Sequence, residues 1–278
     1  DFHQTLIDGM LSFLLFAGAL HVNVHALRRS WQPILALSTL GVVVSTVLVG
    51  LGVAGIARLG GLQIPMSWCM VFGALISPTD PVAVLGLLKH RKIDATLEAT
   101  VGGESLFNDG VGVVVFTILL AAASHPQIVS ATSFLTMFAA EAGGGAALGL
   151  GIGWLAYRLM RSIDDYSLDV LISLAVVMGG YVLANRLGAS GPVAMVVAGL
   201  IMGGEAADQS MSDVTRDYLI KFWTVVDEIL NAALFVLIGL EAVALTRNLS
   251  LLAVAALAIP LVLAVRLVSA GGLLAFWR

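Results

Sequence analysis

A polar stretch, Gly103 to Gly110, lies inside an otherwise apolar segment of this chain. In a helix, residues four apart share a face, which pairs Ser105 with Asp109. The same spacing pairs Glu104 with Asn108. Carboxylate, amide and hydroxyl oxygens suit a hard cation such as Na⁺, and the carboxylate of Asp109 can hold either one Na⁺ or one proton, which is the minimal chemistry of exchange. A hydrogen-bond cluster between helices is the structural alternative.

A second polar stretch, Ser77 to Pro81, places two prolines three residues apart in an apolar segment. Proline has no N–H and clashes with the preceding turn, so this pair predicts a broken helix. Free carbonyls and opposed helix ends at membrane depth form ion sites in transporters. Thr79 and Asp80 lie at the predicted break and are candidate ligands. The alternative is a proline kink in which Asp80 bonds to the backbone.

These stretches belong to a chain of 278 residues with the composition of a membrane protein. It is 59% hydrophobic and 12% charged, whereas soluble domains carry about 25% charged residues. Apolar runs recur along the whole sequence, which predicts an all-α polytopic membrane protein with about nine transmembrane helices. The predicted spans are 6–27, 33–57, 66–88, 100–123, 133–157, 167–184, 191–203, 217–241 and 249–277. The sequence shows no basic cluster typical of nucleic-acid binding, so the expected partner is the lipid bilayer.

The basic residues of the connections predict the orientation of these spans. Nine Lys and Arg residues follow spans one, three, five and seven: Arg28, Arg29, Lys89, Arg91, Lys92, Arg158, Arg161, Arg216 and Lys221. The other connections hold three: Arg58, Arg186 and Arg247. Because basic residues favour the cytoplasmic side, the first span should start outside, and the 89–99 loop should be cytoplasmic.

Ionisable residues inside a span mark ion or proton paths by default. At about 1.5 Å per helical residue, Asp109 lies about 14 Å deep, near the midplane, and Asp80 lies about 21 Å from the outer face. Arg266 is isolated in an apolar stretch, about 26 Å from the outer face and level with Glu104. This predicts an ion pair in which Glu104 is structural. Two further acids are candidates for lining a cytoplasmic funnel: Asp227 and Glu228.

Both polar stretches closely resemble the two signature helices of the cation:proton antiporter family, which includes bacterial and animal sodium/proton exchangers. The first is Ser77-Pro78-Thr79-Asp80-Pro81-Val82-Ala83-Val84, and the second is Gly103-Glu104-Ser105-Leu106-Phe107-Asn108-Asp109-Gly110. Other stretches are similar to the family too: Ser190 to Ala194, Asp227 to Asn231, Gly239 to Glu241, and Arg266. The resemblance covers essentially the whole chain.

The resemblance implies a transporter of the plasma or inner membrane, not an enzyme, that needs no cofactor and exchanges Na⁺ or Li⁺ for H⁺ by alternating access. It implies that Asp109 exchanges the ion and the proton, with Asp80, Thr79, Ser105 and Asn108 completing the site. The Asn before this acid implies electroneutral exchange. The family is also expected to form homodimers, with a six-helix core that moves against a dimerisation domain.

The resemblance further implies that residues 1–278 are a fragment of the exchanger's transmembrane domain. In this fold the broken helix crosses a second broken helix from an inverted repeat, which is expected to follow Arg278. About two further helices are expected before Asp1.

Three alternatives have other functions. A K⁺/H⁺ antiporter of the same family would use the same residues, because cavity size is not visible in a sequence. A channel is not favoured, because no stretch is typical of a carbonyl filter. An intramembrane aspartyl protease could use Asp80 and Asp109 as a pair of acids, but it leaves the double proline and Arg266 without a role.

Overall fold

The computed structural model describes residues 2–22, 24–79, 95–124, 131–163, 165–204, 211–244 and 249–276, which are helical apart from short connections. The helices, in chain order, are α1 (Phe2–Leu20), α2 (Val24–Arg29), α3 (Trp31–Ala36), α4 (Val42–Leu59), α5 (Met66–Ile76), α6 (Ala95–Ser124), α7 (Ala131–Met160), α8 (Tyr166–Arg186), α9 (Gly191–Gly203), α10 (Asp213–Ala244) and α11 (Leu249–Phe276). A π-helical turn, Leu37–Gly41, joins α3 to α4.

The predicted membrane spans correspond to helices. Within the described residues, six apolar helices are long enough to cross a membrane: Trp31–Leu59, Thr100–Ser124, Thr132–Met160, Tyr166–Arg186, Asp213–Val243 and Ser250–Gly272. Three shorter apolar helices, Gly9–Leu20, Met66–Ile76 and Gly191–Gly203, account for the remaining spans. Leu59, Phe235 and Leu267 are 91%, 72% and 76% exposed, as expected of faces that meet lipid.

Two predicted spans differ in detail from the structure. The first span is interrupted, because α1 ends at Leu20 and α2 begins at Val24. Here the His21 and Val22 amides bond three residues back, to Gly18 and Ala19, which tightens and ends the helix. The second span contains the π-helical turn, which adds a residue to one turn and rotates the faces that follow it.

The described chain divides into two compact units, of which the first comprises Asp1–Arg29 and Ala139–Ala244. Its core surrounds the fully buried Trp223, whose Nε1 donates to Ser173 Oγ at 2.9 Å. Helix α9 packs closely in this unit, because a Cβ at Gly145 would lie 2.6 Å from the Ser190 carbonyl. The four-residue spacing of Gly145, Gly149 and Gly153 thus reflects close helix packing.

The second unit comprises Ser30–Phe138 and Leu245–Arg278, and it contains both polar stretches singled out above. Buried apolar residues of α4, α5 and α11 form its core: Val49, Val53, Ala54, Cys69, Val254, Ala258 and Val265. Helices α4 and α5 touch through their backbones, since a Cβ at Gly73 would overlap the Thr46 carbonyl. Helix α6 packs against α5 and against the π-helical turn.

Candidate functional site

The site lies in the second unit, where α5 ends. The helix ends at Ile76, and the chain continues through Ser77 and Pro78 to Thr79 without helical structure. This ending agrees with the predicted break, because Pro78 has no N–H for the next helical bond. Pro78 packs against α6 at Gly112, where a Cβ would overlap the proline ring. The continuation from Asp80 to residue 94 lies outside the described residues.

Thr79 is the meeting point of the site's hydrogen bonds. Ser105 Oγ on α6 donates to the Thr79 carbonyl at 2.7 Å. The Thr79 hydroxyl oxygen accepts from Asn108 Nδ2 at 3.1 Å and from Arg266 Nη2 at 2.7 Å. These two donors engage both lone pairs of the hydroxyl oxygen. The Thr79 carbonyl accepts from Ser105 alone among the described residues, so it is suited to bind a further ligand.

Arg266 of α11 also forms an ion pair with Glu104. Its Nη2 lies 2.5 Å from Glu104 Oε1, and the two side chains are 23% and 12% exposed. Asn108 Nδ2 donates to the same carboxylate oxygen at 2.9 Å. With two donors on Oε1, this carboxylate is engaged within the protein, an arrangement that suits a structural role.

Asn108 is fully buried and has one polar atom left over. Both hydrogens of its amide nitrogen are used, on Thr79 and Glu104. Its Oδ1 is buried without a hydrogen-bond partner in the part of the chain that the structure describes. A buried amide oxygen of this kind normally has a partner, so Oδ1 is suited to accept a bond from water or to face a cation.

Asp109 follows on α6, one helical turn after Ser105 and intermediate in exposure. Ser105 is buried and donates its only hydrogen to Thr79, and among the described residues no donor occupies the lone pairs of its hydroxyl, which suits them to a cation. Ser105 thus brings a hydroxyl oxygen to the Thr79 carbonyl, and Asp109 follows one helical turn later on the same face of α6.

Three predicted residues remain, one outside the described residues and two on a helix of the first unit. Asp80 lies outside the described residues. Asp227 and Glu228 lie on α10 in the first unit, where Asp227 is intermediate in exposure and Glu228 is exposed. Their role in a funnel stays a prediction.

Sequence reasoning missed a set of buried hydroxyls behind the break. Thr46 of α4 donates to Ser77 Oγ at 3.3 Å, and Ser45 donates to Ser269 Oγ at 2.9 Å. The only signal for these residues is a hydroxyl side chain in an apolar span, which is common in membrane helices.

Comparisons with known proteins agree with this architecture. A family model described as "Sodium/hydrogen exchanger, transmembrane" matches residues 1–277. The Na⁺/H⁺ antiporter NhaP of Pseudomonas aeruginosa is 47% identical over 245 residues, covering 87% of this chain and 57% of that protein. The low-affinity Na⁺/H⁺ antiporter NhaS1 of a Synechocystis species is 34% identical over 275 residues, covering 97% of this chain and 50% of that protein.

The fold is also similar to that of a solved structure. The sodium proton antiporter MjNhaP1 of Methanocaldococcus jannaschii superposes with a TM-score of 0.66 at 21% identity, covering 80% of this chain and 53% of that one. The chain thus spans about half the length of the relatives it matches.

Proposed function

Since this chain belongs to the sodium/hydrogen exchanger transmembrane family, we propose that the protein containing it exchanges Na⁺ or Li⁺ for H⁺ across the cell membrane. The observation that carries the proposal is the set of oxygens at the end of α5. Ser105 Oγ lies 2.7 Å from the Thr79 carbonyl, one helical turn before Asp109. Carboxylate, hydroxyl and carbonyl oxygens are ligands that a hard cation prefers.

Exchange follows from competition for Asp109. The carboxylate binds either a proton or a Na⁺, and only the protein with one of these two bound converts between its inward-open and outward-open states. Asp109, Ser105 and Thr79 supply ligand oxygens, Asp80 completes the set, and Asn108 supports it from the buried side. Because one Na⁺ replaces one proton on a single acid, each cycle moves no net charge.

The ion pair of Arg266 and Glu104 supports this assignment. It neutralises Glu104 within the protein, which favours a structural role for that acid and leaves the exchanging role on this stretch of α6 to Asp109. Asn108 stands where a second exchanging acid would allow electrogenic transport, and its amide is engaged in hydrogen bonds to Thr79 and Glu104. Both observations favour electroneutral exchange.

The two compact units support alternating access by movement of one unit against another. The second unit carries Thr79, Ser105, Asn108 and Arg266 together, so the ion site would travel as one body. The first unit would supply the surface of a homodimer, and one of its two acids, Asp227 or Glu228, would line the cytoplasmic funnel. Measuring the mass of the full-length protein in detergent checks the dimer.

The direct test uses full-length protein in proteoliposomes with an internal pH dye. Adding Na⁺ or Li⁺ to acid-loaded vesicles should raise the internal pH, and K⁺ should do so much less. An imposed membrane potential should leave the initial rate unchanged. A response to K⁺ alone would replace this proposal with K⁺/H⁺ exchange, and no response to any of the three cations would contradict exchange altogether.

A further inference from the structure

Two adjacent hydroxyl residues of α4, Ser45 and Thr46, are 2% and 3% exposed in a helix that is otherwise apolar at this level. Successive helical residues point about 100° apart, and these two bond to different neighbours. Thr46 bonds to the end of α5, whereas Ser45 bonds to α11. One turn of α4 is therefore hydrogen-bonded to both elements that meet at Thr79.

The bond from Thr46 fixes the last helical turn before the break. Thr46 Oγ1 donates to Ser77 Oγ at 3.3 Å, and Ser77 Oγ donates to the Gly73 carbonyl at 2.6 Å. The close approach that allows this depends on Gly73, because any Cβ there would overlap the Thr46 carbonyl. Ser77 stands two residues before Thr79, so holding Ser77 in place also constrains the position of the Thr79 carbonyl.

The bond from Ser45 fixes α11, the helix that carries Arg266. Ser45 Oγ donates to Ser269 Oγ at 2.9 Å, and Ser269 Oγ donates to the carbonyl of Arg266 itself at 3.3 Å. Ser269 is 3% exposed. The backbone of Arg266 is thereby held in register with α4 at the level of Thr46.

These two chains of bonds meet across the site. Arg266 Nη2 donates to the Thr79 hydroxyl at 2.7 Å, which closes a loop from α4 through α5 and α11. We propose that Ser45 and Thr46 are positioning residues that set the distance between Thr79 and Arg266, and thereby the affinity of the ion site. This inference rests on the proposed exchange at Asp109, and it concerns groups that do not touch the ion.

A change at Thr46 can separate positioning from folding. In Thr46→Val the buried hydroxyl is removed together with its hydrogen bond, while Ser77 keeps its donor bond to Gly73. The variant closely preserves volume and leaves no buried donor unpaired, so its cost in stability is confined to the bond that Ser77 Oγ no longer accepts. What is lost is the constraint on the turn before Thr79. Thr46→Ser retains the hydroxyl and should rescue the site.

The experiment measures Na⁺-dependent proton flux by full-length protein in proteoliposomes, for wild type, Thr46→Val, Thr46→Ser and Ser45→Ala. Thr117→Val is the matched control, because Thr117 is exposed on α6 and its hydroxyl donates within its own helix, to the Val113 carbonyl at 2.9 Å. Initial rates at several Na⁺ concentrations give an apparent KM and a maximal rate per folded protein.

Thr46→Val should raise the apparent KM for Na⁺ by about threefold to tenfold, the range that one neutral hydrogen bond can supply. Its maximal rate should stay within about twofold of wild type, and Thr46→Ser should restore the KM. Ser45→Ala should shift the KM in the same direction, which keeps the test decisive if Thr46→Val does not fold. An unchanged KM in both variants, or a loss confined to maximal rate and melting temperature, would overturn the positioning role. An inactive wild-type protein would instead overturn the proposed exchange itself, and this proposal with it.

Discussion

Arg266 and Glu104 are joined by an ion pair in which Nη2 lies 2.5 Å from Oε1, and the same nitrogen lies 2.7 Å from the hydroxyl of Thr79. One guanidinium group therefore connects an acid of α6 to the end of α5. Both side chains are largely buried, so neither charge is well solvated by water. Each of the two charges therefore depends on the other for its neutralisation.

Replacing Arg266 by Gln should destabilise the protein, because it leaves the Glu104 carboxylate buried without its cation. Breaking a buried pair by removing one partner costs about 3 to 5 kcal/mol. The double variant Arg266→Gln with Glu104→Gln removes both charges and should recover part of that loss. The measurement is the yield and melting temperature of monodisperse full-length protein in detergent.

The matched control for this pair is Lys221 with Asp217, which has the same 2.5 Å separation but side chains that are 69% and 59% exposed. Lys221→Gln should have little effect, because water screens an exposed pair. A double variant of Arg266 and Glu104 that is no more stable than the worse single variant would refute the pairing.

Close packing at the break predicts the effect of a single methyl group. Gly112→Ala should lower the melting temperature and the exchange rate, because its Cβ would overlap the ring of Pro78. Overpacking of this kind costs about 1 to 3 kcal/mol. Gly55→Ala on α4 is the control, since its Cβ would meet nothing within 4 Å among the described residues. Equal melting temperatures for the two variants would show that Pro78 does not pack on Gly112.

The distribution of basic residues predicts which loops face the cytoplasm. A cysteine at Ser162, beside Arg161, should be protected from an impermeant thiol reagent on intact cells, whereas one at Gln63 should react. Both positions are exposed, and the native Cys69 is buried at 1% exposure, which keeps the background low. Labelling at Ser162 and protection at Gln63 would reverse the topology. Lys92 and Gln127 provide a second pair with the same expectation.

The helices were predictable because apolar runs and length alone specify a membrane span. Proline residues alone did not predict where a helix ends. Pro78 ends α5, whereas Pro260 lies inside α11 and the helix continues past it. At Pro78, the end of the helix is stabilised by hydrogen bonds to Thr79 from three side chains: Ser105, Asn108 and Arg266. Such contacts come from helices distant in sequence, which is why proline spacing predicts a break only together with its surroundings.

Helical spacing predicted which polar residues of α6 share a face, but it could not predict which hydrogen bonds they form. Asn108 bonds to both Glu104 and Thr79, and the latter contact spans 29 positions in the sequence. The hydroxyls of Ser45 and Thr46 gave only a weak sequence signal, a polar side chain in an apolar span, because their partners on α5 and α11 become neighbours only when the helices pack.

Competition for one carboxylate predicts how Na⁺ affinity depends on pH. As pH falls, a proton occupies Asp109 more of the time and excludes Na⁺, so the apparent KM for Na⁺ should rise. Where the proton dominates, the rise approaches about tenfold per pH unit, because binding requires the deprotonated ligand. Rates at several Na⁺ concentrations and pH values check this dependence. An apparent KM that stays constant from mildly acid to alkaline pH would rule out a shared site.

The most direct measurement is Na⁺-driven proton flux in proteoliposomes that contain the full-length Asp109→Asn variant. An amide can neither titrate nor neutralise a cation, so exchange should be abolished while the fold is retained. Asp217→Asn, an exposed acid on α10, should exchange like wild type and serves as the control. Asp109→Glu should keep some exchange with a shifted pH profile. If Asp109→Asn exchanged Na⁺ for H⁺ at near wild-type rates, the ion and the proton would not compete at Asp109, and Asp80 would become the leading candidate.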